Sequence, residues 1–411
     1  MNLSVKPASC LSGKIIPPAS KSYSIRAFII AALGGNSKII NPSLSDDVRI
    51  AMDACKSLGA KIKKIKNNSW QVKGVGSQIR FPKVLKVKES GTTLRFLLSL
   101  AALSPRKMII RAEGTLNSRP NHPLISVLRK KGADIKGCGV NEATPITINK
   151  GRLRAGRISI DGTLSSQFIS SLLITAPLLK GNSLIKVAGN YVVSSPYIDM
   201  TLAVLRRAGI KVTKKSQRLY RVEGDQRFKG LNTFKVPADY GLSAFLMAAA
   251  CLTNSKIILK IEKDNLVQAD KKIIDFLKKM GISIRVFKNK IEIKGSDHLK
   301  GGDFSCRDCP DLVPVLGILA LFADKKTRLY AIGHLRAKES DRISDFRSEL
   351  LKVGAKVKET RDELIIYPTS KLKTNCLIDP HNDHRLAMAF AVLGLKTGIK
   401  IKNIECVNKS Y

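Results

Sequence analysis

The sequence predicts an α/β protein of two domains, each built from three repeats of about 70 residues. Two periodic markers and the apolar content predict it. The first marker is an apolar, often Ala-rich run, then a turn, then a short β-branched strand. It occurs as AFIIAALGGNSKII, LLSLAALSPRKMII, LLITAPLLKGNSLI, FLMAAACLTNSKII, LGILALFADKKTRL and AMAFAVLGLKTGIKI. The turns fall near Gly35, Pro105, Gly181, Asn254, Asp324 and Gly398, at steps of 70, 76, 73, 70 and 74 residues. The second marker is a helical stretch ending in Gly before a strand: SLGAKI, KKGADI, RAGIKV, KMGISI and KVGAKV. Its glycines, Gly59, Gly132, Gly209, Gly281 and Gly354, step by 73, 77, 72 and 73 residues. Glycine just past a helix is the usual left-handed cap. Two markers sharing one period imply six α/β units, each with two helices and several strands. The 44% hydrophobic content is enough to bury two cores.

In chain order, Pro17-Pro18 breaks the chain before the first unit, and PASKSYSIRAFIIAAL opens it as a capped helix start followed by an apolar run. The polar, glycine-bearing stretch GDQRFKGLNTF, from Gly224 to Phe234, is the natural seam between the third and fourth units. The expected domains are therefore 15–231, and 1–14 together with 232–411. The opening Met1–Lys14 fits either half. No apolar run approaches the ~20 residues needed to span a bilayer. The N-terminus MNLSVKPASC has no signal-peptide core. Eight scattered cysteines read as reduced thiols, and the expected compartment is the cytoplasm. Cys306 and Cys309 form a lone CxxC with His298 nearby, and without a second ligand pair they do not make a zinc site.

The charge balance is unusual: 72 Lys and Arg against 32 Asp and Glu, a net +40. It favours anionic partners. The basic residues are dispersed rather than blocked, aromatics are 5%, and no nucleic-acid-binding motif appears. A non-enzymatic basic nucleic-acid-binding protein is one alternative, but no nucleic-acid partner is expected.

The residues opening each Ala-rich helix carry the chemistry. They are Ser20-Lys21-Ser22, Glu89-Ser90-Gly91-Thr92, Ser165-Ser166-Gln167, Ala238-Asp239-Tyr240, Pro310-Asp311 and Asn382-Asp383-His384-Arg385. Helix N-termini attract anions through free N–H donors and the helix dipole. If the six helices are equivalent, three starts from each half converge on one interdomain cleft. Any one of them also fits a plain capped helix, and Asp239 reads as a cap. Asp311 fits either a cap or a base. Arg119-Pro120, and Arg336 to Arg342 with Lys338 and Arg342 on one helical face and Glu339 beside them, add cations and a carboxylate. A highly charged small substrate and proton transfer suit this set.

PASKSYSIR, KESGTTLRFL, LNSRPNHPL, SSQF, SSPYIDMTL, PDLVP, RAKESDRI, NDHRLAMAF and the terminal NKSY resemble, in order, the motifs of the 5-enolpyruvylshikimate-3-phosphate synthase family. The resemblance runs from Lys21 to Lys409. It implies the enolpyruvyl transferase fold, two inside-out α/β domains of three repeats each. It also implies transfer of the enolpyruvyl group of phosphoenolpyruvate to the 5-hydroxyl of shikimate 3-phosphate, with release of phosphate and no metal or organic cofactor; the expected state is a monomer.

By resemblance, Lys21 touches both substrates, and Ser22 and Arg26 hold the shikimate ring and carboxylate. Ser165, Ser166, Ser194 and Lys338 hold its 3-phosphate, with Tyr197 lining that pocket. Gln167 bridges the substrates. Gly91, Arg119, Arg342, Arg385 and Lys409 bind phosphoenolpyruvate. Asp311 is the candidate base, Glu339 and Lys21 are candidates for proton traffic at the methylene carbon, and His384 supports Glu339. Three positions depart from the family pattern: Glu89 where many members have Asn, Thr115 where Asp is common, and His334 where an Asn often contacts substrate. The chain ends two residues past Lys409, where members usually continue with a short apolar tail. The sister transferase acting on UDP-N-acetylglucosamine is the other alternative. It carries a cysteine five residues before the loop arginine, where this chain has Gly114.

Overall fold

The computed structural model describes all 411 residues. The chain divides into two compact units, Ala19–Val236, and Met1–Pro18 with Pro237–Tyr411. Six inner helices correspond to the six apolar runs: α1 (Lys21–Ala32), α2 (Gly91–Ala101), α3 (Ser166–Thr175), α4 (Tyr240–Leu252), α5 (Val313–Ala320) and α6 (His384–Thr397). They are apolar on nearly every side, so they cannot lie on a surface. Every residue of α5 is buried, as is all of α1 from Tyr23 onward. The second helices are amphipathic and lie outside, as in His122–Lys130 and Lys272–Lys279.

Each unit holds three small sheets. Five of the six have four strands, a parallel pair extended by an antiparallel hairpin, and in three of these the parallel pair brackets an inner helix. In the first repeat, Asn232–Lys235 runs parallel to Asn36–Ile40, which pairs antiparallel with Ser69–Lys73, and that strand pairs with Lys61–Ile65. The strands alternate in burial: Val84–Lys88 puts Leu85 and Val87 inward and its lysines outward. Helices inside and half-exposed sheets outside give each unit its inside-out character. The last repeat has a three-stranded sheet. Its sheet has only Cys376–Ile378 and Ile399–Ile401, and Leu3–Val5 completes it.

Strand pairing places the unit boundaries later than the expected 14/15 and 231/232. Ser12–Ile15 pairs with Lys256–Leu259, which keeps the chain through Pro18 with the second half. Asn232–Lys235 closes the first repeat's sheet, which keeps the chain through Val236 with the first. Gly59, Gly132, Gly209, Gly281 and Gly354 all have positive φ, between 79° and 105°, where a side chain is strained. A further periodic marker emerges. At Gly74, Gly151, Gly224 and Gly295 an added Cβ would sit 2.1–2.4 Å from a main-chain carbonyl oxygen near the end of an inner helix.

Candidate active site

In the Ala19–Val236 unit the starts of α1, α2 and α3 are tied together. Ser20 caps α1 by accepting from the Tyr23 amide. Lys21 Nζ pairs with Asp47 Oδ2 at 3.1 Å, and Ser90 Oγ donates to the Asp47 main-chain oxygen at 3.4 Å. Asp47 thus joins the first two starts. The third is joined through Arg95, whose Nη1 donates to Gln167 Oε1 at 2.7 Å, while Gln167 Nε2 donates to Thr92 Oγ1 at 3.0 Å. Ser165 caps α3, and Ser166 opens it.

Arg119 follows the Gly114–Ser118 turn, and its Nη1 lies 3.0 Å from where a Cβ on Gly91 would be. A side chain at position 91 would crowd the Arg119 guanidinium at that helix start. Glu89 supports the turn, with its Oε1 accepting from the Thr115 amide at 3.3 Å. The departures at Glu89 and Thr115 therefore form one local contact. Arg26 is buried. Its Nε donates to Thr201 Oγ1 at 2.9 Å, Nη1 to the Ser22 oxygen at 2.9 Å, and Nη2 to the Tyr197 oxygen at 3.0 Å. Burial brings its pKa down to about 10. It ties α1 to the segment carrying Ser194 and Tyr197. Ser194 is buried and takes a φ of 53°.

The other unit gathers the starts of α4, α5 and α6. Asp239 caps α4 and Asp383 caps α6. Asp311 lies in the short turn before α5. Its Oδ1 accepts from Arg342 Nη1 at 3.0 Å and its Oδ2 from Arg385 Nη2 at 2.7 Å. Arg385 Nη1 lies 3.2 Å from where a Cβ on Gly241 of α4 would be, a second arginine resting on a glycine at a helix start. Glu339 Oε2 accepts from Arg342 Nη2 at 3.0 Å. Asp383 accepts from Arg342 Nε at 2.8 Å and from Nη2 at 3.2 Å.

Partial burial pushes the Asp311 carboxyl up, but Arg385, Arg342 and Lys338 outweigh it and hold the group well below the usual carboxylate range. Burial lowers the Arg342 pKa, and Asp383, Asp311 and Glu339 together raise it above its ordinary value. His384 Nδ1 lies 3.8 Å from Asp383 Oδ1. Lys409 is buried at the end of the Ile404–Lys409 turn, which packs on α6. No group of three or more His, Cys, Asp or Glu side chains is arranged to ligate a metal, and no helix is long and apolar enough to cross a membrane.

One local expectation is corrected. Arg336 to Arg342 does not form a helical face: a short 3-10 turn covers Gly333–Ala337, and the next helix begins at Ser344. Asp341 delays it by accepting from the Ile343 and Ser344 amides, and Arg342 reaches the carboxylates from the irregular stretch between. Sequence reasoning missed Asp47, Arg95 and the pairing role of Asp383. Asp383 reads as an ordinary cap, and Asp47 lies in the first turn of the outer helix Asp46–Ser57, where an acidic residue is commonplace.

Residues 5–411 match the family model described as EPSP synthase (3-phosphoshikimate 1-carboxyvinyltransferase). The chain belongs to this family. It is 38% identical over 402 residues to the 3-phosphoshikimate 1-carboxyvinyltransferase of Archaeoglobus fulgidus, covering 98% of this chain and 94% of that one. It is 37% identical over 409 residues to the enzyme of that name from Nitrosopumilus maritimus, with the same coverage. A solved EPSP synthase from Acinetobacter baumannii superposes with a TM-score of 0.79 at 25% identity, covering 99% of this chain and 95% of that one. The fold is thus the enolpyruvyl transferase fold, and the chain is an enzyme, a transferase of the shikimate route to aromatic amino acids. Neither the nucleotide-sugar transferase nor the non-enzymatic alternative is favoured.

Proposed function

We infer that the protein transfers the carboxyvinyl group of phosphoenolpyruvate to the 5-hydroxyl of 3-phosphoshikimate and releases phosphate. The observation that supports this most is Asp311 held between Arg342 and Arg385, with Glu339 on the same guanidinium. A carboxylate pair among paired arginines suits a reaction that moves protons on a polyanionic substrate.

In this reading the residues divide between the two substrates. Arg119, with Gly91, and Arg342, Arg385 and Lys409 take phosphoenolpyruvate. Ser165, Ser166, Ser194, Tyr197, Lys338, Ser22 and Arg26 take 3-phosphoshikimate, and Lys21 and Gln167 meet both. The 5-hydroxyl oxygen attacks C2 of phosphoenolpyruvate and gives its proton to Asp311. The C3 methylene gains a proton through Glu339 and Lys21, with His384 supporting Glu339. The C2–O bond to phosphate then breaks, the new methyl group returns a proton, and the enol ether forms.

While two guanidiniums hold Asp311 it is a poor base. An arriving substrate carboxylate takes a share of Arg342 and Arg385, and the base strength of Asp311 rises when the hydroxyl needs it. A steady-state assay of Arg119→Lys and Arg385→Lys tests the assignment. Lysine keeps the charge and loses the fork, so KM for phosphoenolpyruvate should rise about tenfold or more. Unchanged KM values in both variants would remove these arginines from the site.

A further inference from the structure

We propose that Asp383 is a positioning residue that fixes Arg342 and Arg385 for phosphoenolpyruvate, acting as the permanent partner of Arg342 while Asp311 and Glu339 are its exchangeable ones. The proposal rests on the reading above that these two arginines bind that substrate, and it adds a residue that touches neither substrate.

Three carboxylates surround the Arg342 guanidinium, and they differ in kind. Asp311 and Glu339 keep 24% and 13% of their side chains exposed and sit on its Nη1 and Nη2 groups. Asp383 is fully buried and grips the Nε side, taking Nε at 2.8 Å and Nη2 at 3.2 Å. A guanidinium held along one edge by a carboxylate fork has its plane and direction fixed. What remains is the outer edge, which Asp311 and Glu339 occupy and which an incoming carboxylate can share.

Asp383 cannot leave as easily. Its Oδ1 also accepts from the Arg385 amide at 2.8 Å, capping α6, so the same carboxylate anchors the backbone of the second arginine. One buried side chain therefore sets the direction of Arg342 and the starting point of Arg385. Stripping it away would leave Arg342 aligned only by the two groups with which an incoming carboxylate shares it.

Two variants separate the fork from the cap. Asp383→Asn removes the charge and half of the fork. Asp383→Ser retains a good N-cap and loses the grip on Arg342. Both should raise KM for phosphoenolpyruvate by about tenfold or more and leave KM for 3-phosphoshikimate within about twofold. Calorimetric binding of 3-phosphoshikimate serves as the check of fold. A wild-type KM for phosphoenolpyruvate in Asp383→Ser, or an equal rise in both KM values, overturns the proposal. Arg385→Lys reports on the underlying reading separately. An unchanged KM there overturns that reading, whereas an impaired Arg385→Lys beside an unimpaired Asp383→Ser overturns the role of Asp383 alone. Should neither variant fold, the wild type decides through its guanidinium proton–nitrogen spectrum. An Arg342 Nε–H signal that exchanges slowly and stays in place on adding phosphoenolpyruvate supports a permanent partner. A signal that shifts or begins to exchange overturns it.

Discussion

Asp311 pairs with two arginines, and its carboxyl lies well below the usual range. It is therefore charged across the working pH range, and its role depends on what its arginines are doing. Asp311→Asn and Glu339→Gln should each lower turnover by about 10²–10⁴-fold, the usual scale for a proton-transfer group. Phosphate-release kinetics at saturating substrates check this, and wild-type turnover in either variant excludes that residue. His334 gives a pH prediction. Burial, then Lys338 and Arg342, bring its pKa down to about 3, so the folded protein keeps it neutral while the unfolded chain takes a proton near pH 6.5. The unfolded state then binds more protons, and stability falls as pH drops from about 6.5 toward 3. His334→Gln should flatten that slope by about 1.4 kcal/mol per pH unit at most. Urea unfolding at several pH values measures it, and an identical slope in the variant contradicts the burial argument. The caps at Ser20, Ser165 and Asp239 were legible in the sequence because a cap is satisfied within its own helix. The reach of Asp47 to Lys21, and of Asp383 to Arg342 41 residues earlier, was not, because nothing local distinguishes a carboxylate that only favours a helix start from one that also pairs at a distance.

At the scale of elements, the inner helices were legible from their apolar runs and the outer ones from their terminal glycines, since both signals are local. Strand membership was less so. Asn232–Lys235 and Ser12–Ile15 belong where distant strands receive them, and that pairing shifts both boundaries. The Arg336 to Arg342 stretch suggested a helix by charge spacing, but the Asp341 cap starts the helix later. Gly74, Gly151, Gly224 and Gly295 were in plain view at a regular spacing, yet the reason for them is a close approach of two backbones that only the folded chain reveals. Gly74→Ala would place a Cβ 2.3 Å from the Gly34 oxygen. It should cost about 1–3 kcal/mol, seen as a lower denaturation midpoint at unchanged slope. An unshifted midpoint would show that this approach has slack.

For the whole molecule, the repeated architecture accounts for where the net +40 sits. Half-exposed sheets offer every second strand position to solvent, and lysine fills many of them. On the first repeat's sheet the outward set includes Lys38, Lys61, Lys63, Lys73 and Lys235, with Lys61 directly opposite Lys73. Like charges facing across a sheet are destabilising, and salt screens them. The melting temperature should therefore rise as monovalent salt goes from about 10 to about 150 mM, a range that shortens the screening length severalfold. A flat or falling curve would show that self-repulsion does not limit this fold.

The central claim is that this chain carries out a single transfer between two small anions. Phosphate release on mixing the wild-type protein with phosphoenolpyruvate and 3-phosphoshikimate, with each omitted in turn, tests it most directly. The account predicts phosphate and enol ether in equal amounts when both are present, and none when either is missing. Phosphate freed from phosphoenolpyruvate alone, or no release with both, would contradict it.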